Sequence, residues 1–228
     1  MTLTIGEVIQ KTSAYFQQKG IDSARLDAEL LLAHVLQATR VELYVNYDRP
    51  LSTAEVAAYR ELIARRGQRE PLAYITGHKE FYGLDFTVTP AVLIPRPETE
   101  LLVEAVLAYL EDNALTGNST PSIIVEIGMG SGAIAVALAA HCPDVEIYGT
   151  DISLPALEVA AQNVGKHGYG QRVHLCSGPY FTGVPSELRG QVRVVVSNPP
   201  YLTRSEMAEA QPELHREPSL ALDGGEDG

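Results

Sequence analysis

The sequence predicts an α/β protein in which a doubly wound parallel sheet follows a small helical bundle and a β-hairpin connector. Three observations predict it. The first seventy residues carry short amphipathic helical patterns with short links. "HKEFYGLDFTVT" (78–89) then alternates at period two in the manner of a hairpin. From residue 123 onward, near-continuous apolar strands alternate with helical segments, which implies a parallel sheet covered on both faces.

The elements follow in order. Thr4 and Glu7 have capping-box spacing, with Ile5, Val8, Ile9, Tyr15 and Phe16 apolar behind them and Gly20 as a stop. Asp22 or Ser23 opens "ARLDAELLLAHVLQA", where Leu26, Leu30, Leu31 and Val35 define one apolar face. A short third helix covers "VELYV". Ser52 and Glu55 form a second capping box before "VAAYRELIARRG", which ends on Gly67. The pattern changes at Pro71, and Phe81, Phe86 and Val88 flank the hairpin turn at Gly83. In "VLIPRPETELLVEAVLAYLEDN", Pro97 suits a first helical position, with two glutamates in the first turn. "ALTGNSTPS" (114–122) is a loop. "IIVEI", "EIYGT", "RVHLC" and "VRVVVS" are strands, and "GAIAVALAAH" and "LPALEVAAQNV" are helices.

Composition narrows the function. The chain has 228 residues and a formal charge of −12. Phosphate gripping needs a basic face, so nucleic acid is disfavoured as a substrate. "IARRGQR" (63–69) is the one local basic candidate, and a helix C-terminus complementing its dipole accounts for it better. No apolar run is long enough to span a bilayer, and "MTLTIGEVIQ" lacks a signal pattern, so a cytoplasmic protein is expected. Cys142 and Cys176 form no disulfide framework, and His34, His78, His141, His167, His174 and His215 show no metal or triad spacing. No metal is expected.

"VEIGMGSGAIAV" places Gly128, Met129, Gly130, Ser131 and Gly132 between a strand and a helix. Glycines there allow a tight turn and close backbone approach, while the helix N-terminus presents free N–H groups. Asp151 ends the next strand, where a carboxylate can accept from both ribose hydroxyls. A nucleoside cofactor is expected, and this pattern fits either a nicotinamide dinucleotide or S-adenosylmethionine.

"RVVVSNPPYLTRSE" (193–206) separates the two. Its strand delivers Asn198 to the crevice beyond the carboxyl ends of the sheet. Pro199 and Pro200 fix φ and lack donors, which stiffens the loop. The Asn198 side-chain oxygen and the Pro199 carbonyl make two convergent acceptors suited to a planar –NH2 group, and Tyr201 adds an aromatic face or hydroxyl. An amide nitrogen is a poor nucleophile because its lone pair is delocalised. Holding both N–H groups aims it at an electrophile and supports the charge it gains on attack. S-adenosylmethionine is therefore the expected cofactor.

"NPPY" resembles the signature of amino-methyltransferases acting on planar nitrogens. "PLAYITGHKEFYGLDFTVTPAVLIPRPETELLVE" and "SNPPYL…EPSLALDGGEDG" resemble, across essentially the whole chain, the release-factor glutamine methyltransferases of the PrmC or HemK family. The resemblance implies a Rossmann-like S-adenosylmethionine-dependent methyltransferase domain and methylation of N5 of the glutamine in the Gly-Gly-Gln motif of peptide chain release factors. It implies that Gly128 to Gly132 form the cofactor loop, that Asp151 binds ribose, and that Tyr180 offers an aromatic face near adenine. Asn198 and Pro199 would hold the glutamine amide, with Pro200 and Tyr201 lining its pocket and Asn198 also beside the cofactor. Thr99, in the "PRPET" turn, would meet the methionine end. The implied domains are 1–70, a helical release-factor docking domain; 71–95, the connector; and 96–228, the methyltransferase domain, incomplete at its C-terminus. A monomer is expected.

One departure concerns "CSGPYFTG", where Gly178 stands in place of the family's acidic residue. The other is the end at "DGGEDG", short of the further strands and helices the family carries. The alternatives are a shortened non-catalytic binder of release factor or cofactor, a DNA adenine methyltransferase, and a ribosomal-protein glutamine methyltransferase. "IPRPETE" fits the last group less well than the release-factor group. A nicotinamide enzyme would leave Asn-Pro-Pro-Tyr without a role.

Overall fold

The computed structural model describes residues 3–117 and 120–228. The opening "MT" of the N-terminal reading and Asn118 and Ser119 of the expected loop at 114–122 lie outside them. The chain divides into two compact units, Met1–Thr76 and Gly77–Gly228.

The first unit is helical: α1 (Ile5–Gln18), α2 (Ala24–Leu36), α3 (Arg40–Val45), α4 (Thr53–Gly67) and α5 (Leu72–Thr76). Capping boxes at Thr4/Glu7 and Ser52/Glu55 start α1 and α4 as expected, and a third, Thr39/Glu42, starts α3. Ile5, Phe16, Leu31, Leu32, Leu43 and Tyr59 fill the core. Helix α2 differs from the expected stripe. Leu26 is exposed, while Ala24, Asp27, Ala28 and Glu29 are buried with Leu31. The two carboxylates are buried because each has cationic partners. Asp27 takes Arg66 at 2.6 Å and the Ser23 hydroxyl at 2.7 Å. Glu29 takes Arg25, Arg40 and the Tyr44 hydroxyl. The "IARRGQR" arginines therefore serve the bundle: Arg66 pairs with Asp27, Arg65 with Glu70, and Arg69 caps the Gly20 carbonyl at 2.6 Å.

The second unit opens with the hairpin β1 (His78–Phe81) and β2 (Leu84–Thr87). Tyr82 and Gly83 both take positive φ, 51° and 72°, the twist that a two-residue hairpin turn requires. A 3-10 turn, Pro97–Thr99, leads into α6 (Glu100–Asp112). Then come β3 (Ser122–Ile127), α7 (Ala133–His141), β4 (Val145–Asp151), α8 (Leu154–Lys166), β5 (Val173–Ser177) and β6 (Val192–Ser197). The sheet is parallel, in the order β5-β4-β3-β6. The α/β class, the hairpin and the helical N-terminal region are as the sequence predicts.

Helices α6, α7 and α8 cover one face, burying Ile124, Val145, Ile147, Val173 and Val196 beneath residues such as Val103, Val136 and Leu138. The opposite face carries Val125, Tyr148, His174 and Val195 in register. There Tyr148 donates to Glu146 at 2.8 Å and stacks on His174, and Val195 is half exposed. Among the described residues the expected helical cover is thus one-sided. The link from β5 to β6 holds Gly178, Pro179, Gly183, Pro185 and Gly190 and folds only a 3-10 turn at Ser186–Leu188.

After β6 the chain forms β7 (Leu202–Thr203), α9 (Arg204–Glu209) and β8 (Asp223–Gly225), with β8 pairing alongside β7. Strand order reverses at β3, which has β4 on one side and β6 on the other. The carboxyl ends of β3 and β6 therefore form the crevice where open α/β sheets bind ligands.

Candidate active site

Register builds this crevice. Ile127 of β3 pairs with Ser197 of β6, and the Ser197 hydroxyl donates to the Ile127 carbonyl at 2.8 Å. The glycine loop and the Asn-Pro-Pro-Tyr loop begin one residue later on each strand, so they leave the sheet side by side. A cavity of about 440 Å³ opens there, within the range of small-molecule sites. Its wall contains Gly128, Met129, Gly130, Ser131, Asp151, Tyr180, Asn198, Pro199 and Pro200.

Gly128, Gly130 and Gly132 have φ of 74°, 52° and 77°, the left-handed region that favours glycine. A Cβ on Gly128 or Gly130 would meet only open space, whereas Gly132, the cap of α7, packs on Ala160 outside the cavity wall. Met129 gives the wall its backbone. Its side chain is buried against Gly149, where an added Cβ would come 2.5 Å from the Met129 sulfur. The Asp151 carboxylate is fixed by the Gly130 amide and the Ser153 amide, each at 2.9 Å. Each oxygen keeps a lone pair for a further donor.

Across the cavity, Asn198 Nδ2 donates to Thr99 Oγ1 at 3.4 Å. The carboxamide is thereby oriented with Oδ1 available as an acceptor. Thr99 joins the Pro97 turn to α6 and itself lines the cavity. Tyr201 stands outside the wall, 64% exposed.

Of the wall elements that escaped the sequence reading, three shape the site most. Glu126 of β3 is buried, and its Oε2 has no hydrogen-bond partner. Burial pushes its carboxyl up to about 8, against a hydrogen bond from the Ala135 backbone and aided by the charge of Asp151. A carboxylate interrupting an apolar strand just before a glycine loop was the available signal. Thr150, at the end of β4, carries no such signal. The third element is the segment at 218–221, where Pro218, Leu220 and Ala221 close the far wall. It is pinned by Glu217, whose buried carboxylate accepts from the Ile94 amide at 3.0 Å and from Arg96 at 2.5 Å.

These residues fit S-adenosylmethionine. Open space over two glycines admits close ligand approach, Asp151 can accept from a diol, and the unpartnered Glu126 oxygen can take a further hydrogen bond from a ligand. A Rossmann-type sheet with a glycine loop, an acidic second-strand end and Asn-Pro-Pro at the switch point defines a methyltransferase.

Comparison with known proteins narrows the class. Family models described as "PrmC N-terminal domain" and "Methyltransferase small domain" match residues 7–77 and 99–222. The release factor glutamine methyltransferase of Geobacter sulfurreducens is 44% identical over 226 residues, 99% of this chain and 75% of the relative. That of Chlorobaculum tepidum is 40% identical, covering 96% of this chain and 75% of the relative, and that of Moorella thermoacetica 41%, covering 100% and 77%. The chain belongs to the release factor glutamine methyltransferase family, and its cofactor is S-adenosylmethionine. No helix among the described residues is long and apolar enough to cross a membrane.

Proposed function

We propose that this chain methylates N5 of the glutamine in the Gly-Gly-Gln motif of peptide chain release factors. The observation that carries the reading is the Asn198 carboxamide: its nitrogen is held by Thr99 and its oxygen is available, at a cavity built for a nucleoside cofactor. The family supplies the protein substrate.

S-adenosylmethionine supplies a methyl on a positively charged sulfur. The rest is positioning by the chain. The backbone of Gly128 to Ser131 would lie along the cofactor, Asp151 would accept from its ribose hydroxyls, and Tyr180 would face its base. The unpartnered Glu126 Oε2 would hydrogen-bond a polar group of the cofactor. Asn198 Oδ1 and the Pro199 carbonyl accept the two N–H hydrogens of the glutamine amide, which orients the nitrogen towards the methyl and stabilises the charge it gains. Pro200 keeps that loop stiff, and Tyr201 stands at the mouth where a peptide arrives. After transfer the nitrogen is acidic, so its proton leaves to water without a strong base. Residues 1–70 dock the release factor, 71–95 connect, and 96–228 carry the chemistry. The chain acts as a cytoplasmic monomer on a protein, with no direct nucleic-acid contact, in keeping with its charge of −12.

The test is methyl transfer from labelled S-adenosylmethionine to a purified release factor, with the modified peptide mapped by mass spectrometry. One methyl on the Gly-Gly-Gln glutamine is expected. Transfer to a ribosomal protein or to adenine in DNA instead would overturn the substrate. Cofactor binding with no transfer to any of these would mark a binder.

A further inference from the structure

Two loops meet at Thr150. Its main-chain carbonyl accepts from the Gly128 and Met129 amides at 2.8 and 3.0 Å, anchoring the glycine loop. Its buried hydroxyl lies 2.7 Å from the Tyr180 carbonyl and 3.3 Å from the Glu126 carbonyl. A hydroxyl has one proton to donate, and the shorter contact takes it.

The loop fastened in this way has an uncommon backbone. Gly178 has φ 134° and Tyr180 φ 52°, a region that side chains other than glycine rarely adopt. A Cβ on Gly178 would lie 2.6 Å from Thr182 Cγ2, so this loop has no room for a carboxylate at 178. The Gly178 amide donates to the main-chain carbonyl of Asp151 at 2.9 Å, which sets the loop beside the carboxylate assigned to the ribose. The base lies next to the ribose, and the group left to meet it is Tyr180. That side chain lines the cavity while 72% exposed, so it stands at the rim.

We infer that Thr150 is a positioning residue for the nucleoside end of the ligand. Its hydroxyl fastens the 178–183 loop so that Tyr180 presents its ring to the planar base, in place of a side chain at 178. Threonine suits the task because β-branching restricts χ1 and holds the hydroxyl in one direction. A ring face against a base is favourable whichever base edge is exposed. The inference rests on the reading of the cavity as a nucleoside cofactor site.

Calorimetric titration of the full chain with S-adenosylhomocysteine and with adenosine tests it. Thr150→Val keeps the shape and removes the donor, while Thr150→Ser keeps the hydroxyl. Thr150→Val is expected to weaken both ligands by one common factor, about three- to tenfold, with Thr150→Ser within about twofold of wild type. In a Tyr180→Ala background the valine change should add almost nothing, because the ring it positions is gone. Wild-type affinity in Thr150→Val, or an undiminished loss in that background, overturns the inference. Tyr180→Ala is at an exposed position and reads independently of folding at 150: adenosine affinity unchanged there also overturns it. A wild-type chain that binds neither ligand overturns the cofactor reading, and the inference with it.

Discussion

Asn163 Nδ2 donates to the Ser131 carbonyl at 2.9 Å, tying helix α8 to the glycine loop from beneath. The same carboxamide exchanges two hydrogen bonds with the backbone of Thr87 in β2, at 2.8 and 2.9 Å, and is fully buried. One side chain thus satisfies the hairpin and the loop together. Asn163→Ala removes the partner of one buried and two partly buried backbone groups, and urea unfolding should record a loss of about 3 kcal/mol. Asn163→Asp keeps the acceptor for the Thr87 amide but removes both donated bonds. It should also destabilise, and it should weaken cofactor binding because the Ser131 carbonyl is released.

Glu126 gives a pH signature. Its carboxyl is raised from 4.5 to about 8 by burial, so between those values the folded chain holds a proton that the unfolded chain releases. Its contribution is intact below pH 4.5 and is lost as pH rises towards 8, at up to about 1.4 kcal/mol per pH unit. Glu126→Gln should flatten that slope in denaturation curves taken from pH 5 to 8. An identical slope in the variant would refute the assignment.

The Thr99–Asn198 contact separates positioning from binding. Asn198→Ala should cut kcat about a hundredfold, with S-adenosylhomocysteine affinity within about threefold of wild type. Thr99→Val keeps the acceptor oxygen of Asn198 but frees the carboxamide to rotate, and a loss of about tenfold in kcat is expected. Steady-state kinetics on a release factor would test both.

In the helical unit, Asp27 and Arg66 form a pair with side chains only 4% and 7% exposed. Asp27→Ala removes the carboxylate that balances a buried guanidinium and should cost about 3–5 kcal/mol in chemical denaturation. By contrast, Lys166 and Asp85 pair at the surface, and Lys166→Ala should change stability by less than about 1 kcal/mol.

What could be read in advance was what lies in short runs of sequence. The capping boxes at Thr4 and Ser52 are complete within four residues, and the glycine loop and Asn-Pro-Pro-Tyr each declare a backbone need at one spot. Gly130 next to Asp151, or Ser197 next to Ile127, required only strand order. The contacts that stayed hidden join distant segments through ordinary residue types. Thr150 looks like any β-strand threonine, yet its hydroxyl reaches a carbonyl thirty positions away. Leu26 looked like core because helical periodicity assigns burial by side-chain type. The salt bridges of Asp27 and Glu29 reversed that choice by making two carboxylates the buried groups.

The Glu217 clasp also has a consequence for the order of synthesis. Its bond to Arg96 spans 121 positions, so the far wall of the cavity cannot close until a nascent chain has delivered residue 217 clear of the ribosome. By then the helical unit, built from contacts among its first 76 residues, has had time to fold, since local contacts form early and N-terminal domains lead. The glycine loop and Asn198 also precede the clasp in the chain. The ligand chamber is therefore among the last parts of the described chain to be completed.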